Sequence, residues 1–364
     1  MQLTDKKIAL PELQPLLSWY QKNARRLPWR DTKDPYRIWV SEIMLQQTRV
    51  EAVLPYYARF LARLPDVRAL AECPEQELLK LWEGLGYYSR VRNMQKAAKS
   101  IMEQHGGSFP TDFADIRALC GIGEYTAGAI SAFAFDRPIP AIDGNVMRVV
   151  ARLCAYEGDV LSPTARRAVT KAVAEVIPED HAADFNQALI ELGAIVCLPN
   201  GEPKCDVCPL AAVCRARELS LTSALPVRKK AAPRKKELRT VLILREGDRV
   251  VLCKRPPSGL LAGLYEPPCL AGQQTADGLQ GALAAYGVSP LYLTPLEDAK
   301  HIFTHIEWHM VGFEVILPQG SLEKLQIPRN GTPFLPPDAF LAPREEIDER
   351  YSVPSAYSAY RPYM

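Results

Sequence analysis

The sequence predicts two domains, an all-helical domain followed by a smaller α+β domain, and three observations lead to this prediction. At 364 residues the chain is longer than one hydrophobic core usually serves. Apolar residues recur at spacings of three and four as far as about Cys214, which is typical of amphipathic helices. After Lys236 this pattern gives way to short alternating runs punctuated by Pro and Gly. We therefore expect a helical domain over 1–214, a linker over 215–236 and an α+β domain over 237–364.

The individual elements follow from the same spacing. Strands are predicted at Arg239–Arg245 and Arg249–Lys254, on either side of a turn at Gly247, and a further β-rich run at Phe303–Ile316. The helices of the first domain are separated by short loops that contain Gly or Pro. The predicted helices are Leu13–Asn23, Ile38–Phe60, Glu75–Trp82, Val91–Gln104, Thr126–Phe135, Val146–Leu153, Ala165–Val176 and Phe185–Val196.

Composition and charge exclude some classes of protein and leave others open. Hydrophobic residues make up 48% of the chain and charged residues 24%, which is ordinary for a globular protein. The sequence has no apolar run of membrane-spanning length and no signal-peptide core, so we expect a cytoplasmic protein. The net charge of the chain is +2. The segment from Arg215 to Arg239, however, contains nine Lys or Arg residues and only two acidic residues, Glu218 and Glu237. This local excess fits a polyanionic partner, although a solvated basic linker is the simpler interpretation.

The nine cysteines favour a metal centre over a disulfide framework, because their number is odd and four of them crowd into one short segment. These four have the spacing C-x7-C-x2-C-x5-C: Cys197, Cys205, Cys208 and Cys214. Four thiolates in one loop can hold an iron–sulfur cluster or a tetrahedral zinc ion. The spacing leaves no open coordination position, which favours a structural role. The other five are expected to be small buried residues: Cys73, Cys120, Cys154, Cys253 and Cys269.

A tight turn between two helices is predicted at Leu119–Gly123. Gly121 and Gly123 allow backbone N–H groups to point outward at the start of the second helix, where the helix dipole favours an anion. A plain turn is the common alternative for two such glycines. We expect Ile122, between them, to anchor the turn in the core.

Two carboxylates occupy positions that suggest chemistry. Glu42 stands at helical spacing from Ile38 and Leu45, so it lies on the apolar face of its helix. A carboxylate there is unfavourable unless it is paired or unless a raised pKa is useful. Asp143 directly precedes a predicted helix. The structural alternatives are a core Glu satisfied by backbone donors and an Asp that caps the helix.

These motifs together resemble a known superfamily. Leu119–Ala127 followed by Pro140–Asp143 resembles the helix-hairpin-helix and Gly/Pro-Asp element of the endonuclease III superfamily of DNA glycosylases. The cysteine loop resembles the 4Fe–4S cluster loop of that superfamily. Ser41–Thr48 and Ala141–Val146 narrow the resemblance to the MutY-type adenine DNA glycosylases. The resemblance implies an all-α helix-hairpin-helix domain with a 4Fe–4S cluster and a C-terminal Nudix-like α+β domain. It also implies a monomer that acts on duplex DNA, and is then associated with the nucleoid.

The same resemblance implies catalytic roles. Glu42 would be the general acid that protonates adenine, Asp143 would stabilise the sugar cation, and Asn145 would help to position Asp143. Endonuclease III carries a Lys, which forms a Schiff base, where this chain has Tyr125. Because Tyr125 cannot form a Schiff base, the resemblance favours a monofunctional hydrolase. The hairpin glycines Gly121 and Gly123 would bind DNA phosphate.

Residues that handle the extruded base and its partner are also implied by the resemblance. Gln47 and Tyr87 match wedges near the opposite base. Arg30 and Gln187 match positions that line the adenine pocket, and the amide of Gln187 is able both to donate and to accept along an adenine edge.

The C-terminal domain would recognise 8-oxoguanine opposite the adenine through the loop Phe303, Thr304, His305. The stretch Thr275–Val288 contains no Glu to bind Mg²⁺, so pyrophosphatase activity is not expected. The chain departs from the family pattern in the x7 cluster spacing, in Cys120 for Pro and in Thr304 for Ser. The expected function is removal of adenine mispaired with 8-oxoguanine or guanine. The alternatives are a glycosylase/lyase for oxidised pyrimidines and a catalytically silent DNA reader.

Overall fold

The computed structural model describes residues 13–229, 233–329 and 331–364. The N-terminal residues 1–12 and residues 230–232 of the predicted linker lie outside the described residues. The chain divides into two compact units, one formed by Met1–Glu72 and Asn93–Ala231 and the other by Cys73–Arg92 and Ala232–Met364. The segment Cys73–Arg92, which the periodicity assigned to the helical domain, thus belongs to the second unit.

The predicted class, a helical part followed by an α+β part, is confirmed. In chain order the helices up to residue 218 are α1 (Gln14–Asn23), α2 (Pro35–Leu45), α3 (Val50–Arg63), α4 (Val67–Glu72), α5 (Glu75–Leu81), α6 (Ser89–Gln104), α7 (Phe113–Ala118), α8 (Glu124–Phe135), α9 (Gly144–Leu153), α10 (Pro163–Ala174), α11 (Ala182–Ile195) and α12 (Arg215–Glu218). No helix among the described residues is both long enough and apolar enough to cross a membrane.

The prediction of one continuous helix over Ile38–Phe60 is wrong. The helix is interrupted at Gln46–Arg49, and Gln47 has a left-handed backbone with φ of 60° that no α-helix can accommodate. Apolar spacing could not reveal this break, because the apolar residues on both sides continue in a compatible phase. The short helix α4 also escaped prediction, since six residues are too few to establish a period.

One core of the first unit is formed by α1, α9, α10 and α11 around residues such as Leu16, Val150 and Leu189, all fully buried. Buried Asn186 on α11 ties the chain that enters α9 to this core. Its Oδ1 accepts from the backbone N–H of Ala141 at 2.8 Å, and its Nδ2 donates to the carbonyl of Ile139 at 3.1 Å. The loop that carries Asp143 is therefore fixed before the helix begins.

The second unit is built on a mixed sheet. Its strands are β1 (Lys235–Glu246), β2 (Arg249–Lys254), β3 (Tyr265–Glu266), β4 (Cys269–Ala271), β5 (Tyr292–Ile302), β6 (Ile306–Ile316) and β7 (Phe340–Pro343). The main path runs β3-β2-β1-β6-β5, with β1 and β6 parallel, while β4 pairs with β1 and β7 with β2. Helices follow as α13 (Ala276–Ala285), α14 (Ser321–Gln326) and α15 (Arg344–Arg350), with a final 3-10 helix at Ser355–Tyr363.

Both faces of this sheet are covered, which explains its nearly continuous apolar runs. Along β1, Val241 and Ile243 pack into one core while Leu242 and Leu244 pack into the other. The β-rich run predicted at Phe303–Ile316 begins three residues later, because Phe303 to His305 form a loop between β5 and β6. Strand β5 was not predicted, since all of its residues are exposed or half-buried and a bulge interrupts its alternation.

The segment 215–236, which was expected to be a linker, contains regular structure at both of its ends. Helix α12 covers Arg215–Glu218, and strand β1 begins at Lys235.

The cysteines outside the cluster loop differ in their burial. Cys73 and Cys253 are buried as expected, but the prediction of burial is wrong for Cys120, which is exposed at the hairpin turn. Cys154 and Cys269 are half-buried.

Candidate active site

A cleft of about 890 Å³ in the first unit brings together the expected catalytic and pocket residues. The side chains and backbone that line it come from α2, α8, α9, α10 and α11, from the start of α3 and from the loops that precede α2, α3, α8 and α9. Among the lining residues are Arg30, Glu42, Gln47, Gly121, Gly123, Tyr125, Asp143, Asn145 and Gln187. Tyr87 and the loop Phe303, Thr304, His305 belong to the second unit instead.

Glu42 is presented by a helix whose start is well determined. Pro35 stands at the first turn of α2, and the Asp34 side chain caps it by accepting from the N–H of Tyr36 at 2.9 Å. Glu42 is 5% exposed, and its Oε2 accepts from the hydroxyl of Tyr125 at 2.6 Å. Burial raises the pKa of Glu42 from 4.5 to about 7, and the hydrogen bond from Tyr125 only partly offsets this effect. A carboxyl with this pKa is about half protonated at neutral pH.

Tyr125 is brought to Glu42 by a close packing contact of α8. A Cβ at Gly128 would lie 2.2 Å from the carbonyl oxygen of Pro140, so only glycine allows α8 to approach the chain that leads to Asp143. Burial, followed by the nearby charges of Glu42 and Asp143, raises the pKa of Tyr125 well above its usual range. Tyr125 is therefore a permanent donor toward Glu42 and not a base.

Asp143 is the N-cap of α9 and faces the cleft at the same time. Its Oδ1 accepts from the N–H of Val146 at 2.8 Å, and its Oδ2 accepts from Nδ2 of Asn145 at 2.6 Å. Burial raises the pKa of Asp143, while these two hydrogen bonds lower it. The cap and the cleft-facing carboxylate, which the sequence left as alternatives, are thus the same group.

The hairpin between α7 and α8 has the geometry expected of a tight turn. Gly121 has a φ of 79°, and a Cβ there would lie 2.6 Å from Cβ of Asn93. Ile122 is 4% exposed and anchors the turn in the core, as predicted. Gly123 is the N-cap of α8, and both glycines are exposed at the mouth of the cleft. Their backbone is accessible to an anion at the start of an α-helix.

A buried ion-pair cluster, which was not predicted from the sequence, lies beside the cleft. Glu191 on α11 is fully buried, and it accepts from Nε and Nη2 of Arg25 at 2.8 Å each and from Nη2 of Arg30 at 2.7 Å. Burial alone would raise the pKa of Glu191, but the hydrogen bonds from both arginines lower it to about 2. Arg30 is thereby held in place at the wall of the cleft. A Glu on the apolar face of α11 is the signal that could have revealed this cluster.

The four cysteines line a second, smaller cavity of about 30 Å³ in the same unit. None of them is in a disulfide, and Nη1 of Arg152 donates to Sγ of Cys197 at 3.3 Å. Burial and the neighbouring thiols raise the pKa of Cys208 to about 11. As the side chains stand, no group of three or more His, Cys, Asp or Glu among the described residues is arranged to hold a metal ion. The donor set still fits a thiolate-bound centre, because four sulfurs and an arginine face one cavity.

Arg148 connects the cysteine loop with the cleft. Its Nε donates to the carbonyl of Cys197 at 2.8 Å, and its Nη2 donates to Oδ1 of Asn145, also at 2.8 Å. Asn145 in turn donates to Asp143. A continuous hydrogen-bonded path therefore runs from the first cysteine to the carboxylate at the start of α9.

In the second unit, Thr304 and His305 are exposed at the turn between β5 and β6. The N–H of Lys235 donates to the carbonyl of His305 at 3.0 Å, and the Phe303 ring packs edge-on against Trp308 with centroids 4.8 Å apart. The hydroxyl of Tyr87 lies 3.1 Å from Oγ1 of Thr304. Tyr87 has a left-handed backbone with φ of 47° and is 47% exposed, a strained and accessible position of the kind found at functional sites.

Comparison with known proteins agrees with these features. Residues 40–179 match the HhH-GPD superfamily of base excision DNA repair proteins, and residues 239–360 match the NUDIX domain. The adenine DNA glycosylase of Buchnera aphidicola subsp. Baizongia pistaciae is 39% identical over 313 residues, which cover 85% of this chain and 87% of that protein. The adenine DNA glycosylase of Rattus norvegicus is 34% identical, over 80% of this chain and 68% of that protein.

A solved structure gives the same result for the helical part. A thermostable thymine-DNA glycosylase matches with a TM-score of 0.53 and 27% identity, over 57% of this chain and 94% of that one. The resemblance inferred from the motifs is thereby confirmed. The chain belongs to the adenine DNA glycosylase family and is a DNA glycosylase of base-excision repair, whose partner is DNA.

Proposed function

We propose that the chain hydrolyses the N-glycosidic bond of adenine mispaired with 8-oxoguanine or guanine in duplex DNA, as a monofunctional enzyme. The observation that carries this proposal is the pair of carboxyl groups in one cleft, of which Glu42 is buried and Asp143 is half-buried. Glu42, with a pKa raised to about 7, and Asp143, beside the start of α9, both line it together with Tyr125. Cleavage of a glycosidic bond needs an acid for the leaving base and a negative charge for the sugar cation.

In the proposed reaction, the protonated Glu42 donates to N7 of the flipped adenine, which makes the base a better leaving group. As the bond breaks, the Asp143 carboxylate stabilises the positive charge that develops on the sugar. Asn145 and the N–H of Val146 hold Asp143 in that orientation. Water then forms the new bond to C1′ of the sugar, and the proton that it releases returns the Glu42 carboxylate to its acid form. Arg30 and Gln187 bind the base, and Gly121 and Gly123 bind a DNA phosphate.

Monofunctional chemistry is supported by the residues around Glu42. The phenol of Tyr125 donates to Glu42 and has no amine with which to form a Schiff base. None of the described residues that line the cleft is a lysine. A glycosylase/lyase for oxidised pyrimidines, the closest alternative, needs such an amine.

For the second unit we propose recognition of the opposite base. The exposed loop of Phe303, Thr304 and His305 is the reading element, and its backbone is anchored by β1. Tyr87, bonded to Thr304, and Gln47 act as wedges in the base stack. Helix α13, at Ala276–Ala285, contains no Glu, which argues against Mg²⁺-dependent pyrophosphatase chemistry.

For the cysteine loop we propose a 4Fe–4S cluster held by Cys197, Cys205, Cys208 and Cys214. When bound, the cluster supplies a rigid cross-link of the loop rather than a reactive site. Arg148 would transmit the order of this loop to Asn145. Equal amounts of iron and acid-labile sulfide in the purified protein, without zinc, would support the proposal over a tetrahedral zinc site.

A single-turnover assay tests the reaction and the mispair together. Duplexes carry adenine opposite 8-oxoguanine, guanine or thymine, and alkali reveals the abasic site. We expect fast cleavage of the adenine strand opposite 8-oxoguanine and guanine and little opposite thymine. Borohydride added during turnover should trap no protein–DNA adduct, since Tyr125 cannot form one. Tight binding without adenine release would instead favour a catalytically silent reader, and a trapped adduct would favour the lyase.

The pH dependence of adenine release is a second expected result. Glu42 is active when protonated, and its pKa is raised to about 7. The single-turnover rate constant should therefore fall as the pH rises through 7, by about tenfold for each further unit. A rate that instead increases between pH 6 and pH 8 would contradict the role of Glu42 as the acid.

A further inference from the structure

The amide of Gln187, on the wall of the cleft, has its two ends in different environments. Its Oε1 accepts a hydrogen bond from the hydroxyl of Tyr20 at 2.7 Å. Its Nε2 donates no hydrogen bond to another of the described residues. Gln187 lines the cleft, whereas Tyr20 stands behind it on α1 and is 7% exposed. The donor end of the amide is thus left available to a ligand.

Tyr20 favours one of the two orientations of the amide. Burial raises the pKa of Tyr20 to about 12, despite the lowering effect of Arg30, so the hydroxyl keeps its proton. This O–H has no acceptor other than Gln187 among the described residues. If the amide turned over, its NH₂ group could donate to the hydroxyl oxygen, but the buried O–H would lose its acceptor, which is unfavourable.

The position of Tyr20 is itself fixed from the other side. The guanidinium of Arg30 lies over the Tyr20 ring, 5.7 Å from its centroid. Arg30 is bound to the fully buried Glu191 at 2.7 Å. The other charge near the Tyr20 hydroxyl is Asp184, on the same helix as Gln187. The buried ion-pair cluster of Arg25, Arg30 and Glu191 therefore stabilises the position of Tyr20, the residue that orients Gln187.

We propose that Tyr20 is a positioning residue for base specificity, because it fixes the Gln187 amide so that the cleft offers a donor to a ring nitrogen and an acceptor to an exocyclic amine. This inference rests on the proposed removal of adenine. Glu42 acts on N7, so the Watson–Crick edge of adenine is left for Gln187. On that edge N1 accepts and N6 donates, and Oε1 of Gln187 has a second lone pair for N6.

In the same orientation the amide disfavours purines whose Watson–Crick edge has the donor and the acceptor exchanged. Hypoxanthine and guanine carry an N1–H donor and an O6 acceptor on this edge, so both contacts with the fixed amide would be repulsive. An amide that was free to turn over could form hydrogen bonds with both of these bases. A buried polar group that is held in one orientation discriminates more strongly than apolar shape does. Tyr20 would therefore exclude these bases without touching them.

The test is the change of Tyr20 to Phe, which keeps the ring beneath Arg30 and removes only the hydroxyl. Single-turnover rate constants are measured on duplexes with deoxyadenosine or deoxyinosine opposite 8-oxoguanine. In Tyr20→Phe the ratio of adenine to hypoxanthine release should fall by about tenfold. The matched control is Tyr36→Phe, which removes another buried hydroxyl, bonded to the carbonyl of Leu64 at 2.8 Å, away from the cleft. Its ratio should equal that of the wild type.

A double-mutant cycle identifies the route of the effect. In a Gln187→Ala background, Tyr20→Phe should leave the ratio unchanged, because no amide remains to be oriented. An unchanged ratio in the folded, DNA-binding Tyr20→Phe single variant would overturn the inference while the proposed function stands. A shift that persists without Gln187 would also overturn it. A wild-type protein that releases no adenine would overturn the proposed function and this inference together.

Discussion

Replacing Glu42 by Gln is expected to reduce the single-turnover rate of adenine release by about 10³-fold or more, with DNA affinity retained. Gln has the same shape as Glu and still offers an oxygen to the Tyr125 hydroxyl, so the cleft should keep its form. The proton that activates the base is lost. The measurement is a rate constant at saturating enzyme, together with the dissociation constant for the same duplex. Glu103→Gln, an exposed carboxylate on α6, is the matched control for the change of charge.

The same variant should be more stable than the wild type at high pH. In the folded protein the pKa of Glu42 is raised from 4.5 to about 7, so folding stability from this group is fully present below pH 4.5 and is lost as the pH rises through 7. At pH 8 the difference is on the order of 3 kcal/mol of unfolding free energy. Urea unfolding of both proteins at pH 5 and pH 8 checks the sign of this difference in unfolding free energy.

The activity of the Gln variant decides the role of Glu42 in the reaction. If this variant retained full activity, Glu42 would not be the acid and the proposed reaction would fail.

The two buried glutamates, Glu42 and Glu191, show which features of the site could be predicted from the sequence and which could not. Glu42 was singled out because a carboxylate on an apolar helix face needs a partner or a use, and the resemblance supplied the use. Glu191 carries the same signal on α11. It was missed because its partners Arg25 and Arg30 precede it by more than 160 residues. Helical spacing reveals which face is buried, but it does not reveal what a long-range partner contributes there.

Some backbone conformations and domain contacts depend on long-range packing and could not be predicted from the sequence. Gln47 and Tyr87 were expected to act as wedges, but their left-handed backbones, with φ of 60° and 47°, follow from the loops that hold them. Neither is glycine, so no local signal predicted this conformation. The assignment of Cys73–Arg92 to the second unit likewise depends on contacts such as the bond between the Glu83 carboxylate and the N–H of Val353, 270 residues away. Apolar periodicity carries no information about such pairings.

Replacing Asp143 by Asn is expected to reduce adenine release by about 10³-fold. The carboxylate charge that would stabilise the sugar cation is removed, while a side-chain oxygen remains to cap α9 through the N–H of Val146. The amide of Asn145 would lose its acceptor at Oδ2, so the pair should also be less well ordered. Single-turnover kinetics on the 8-oxoguanine duplex measure the effect.

Because Asp143 both caps a helix and faces the cleft, its two roles must be separated. Asp143→Ala removes the cap as well as the charge, so its unfolding free energy should be about 1 kcal/mol lower than that of Asp143→Asn. The two variants should nevertheless be equally slow, since the charge is absent from both. If activity followed stability instead, with Asp143→Asn close to the wild type and Asp143→Ala impaired, Asp143 would be only a helix cap. Equal loss of activity at unequal stability would assign the rate to the carboxylate itself.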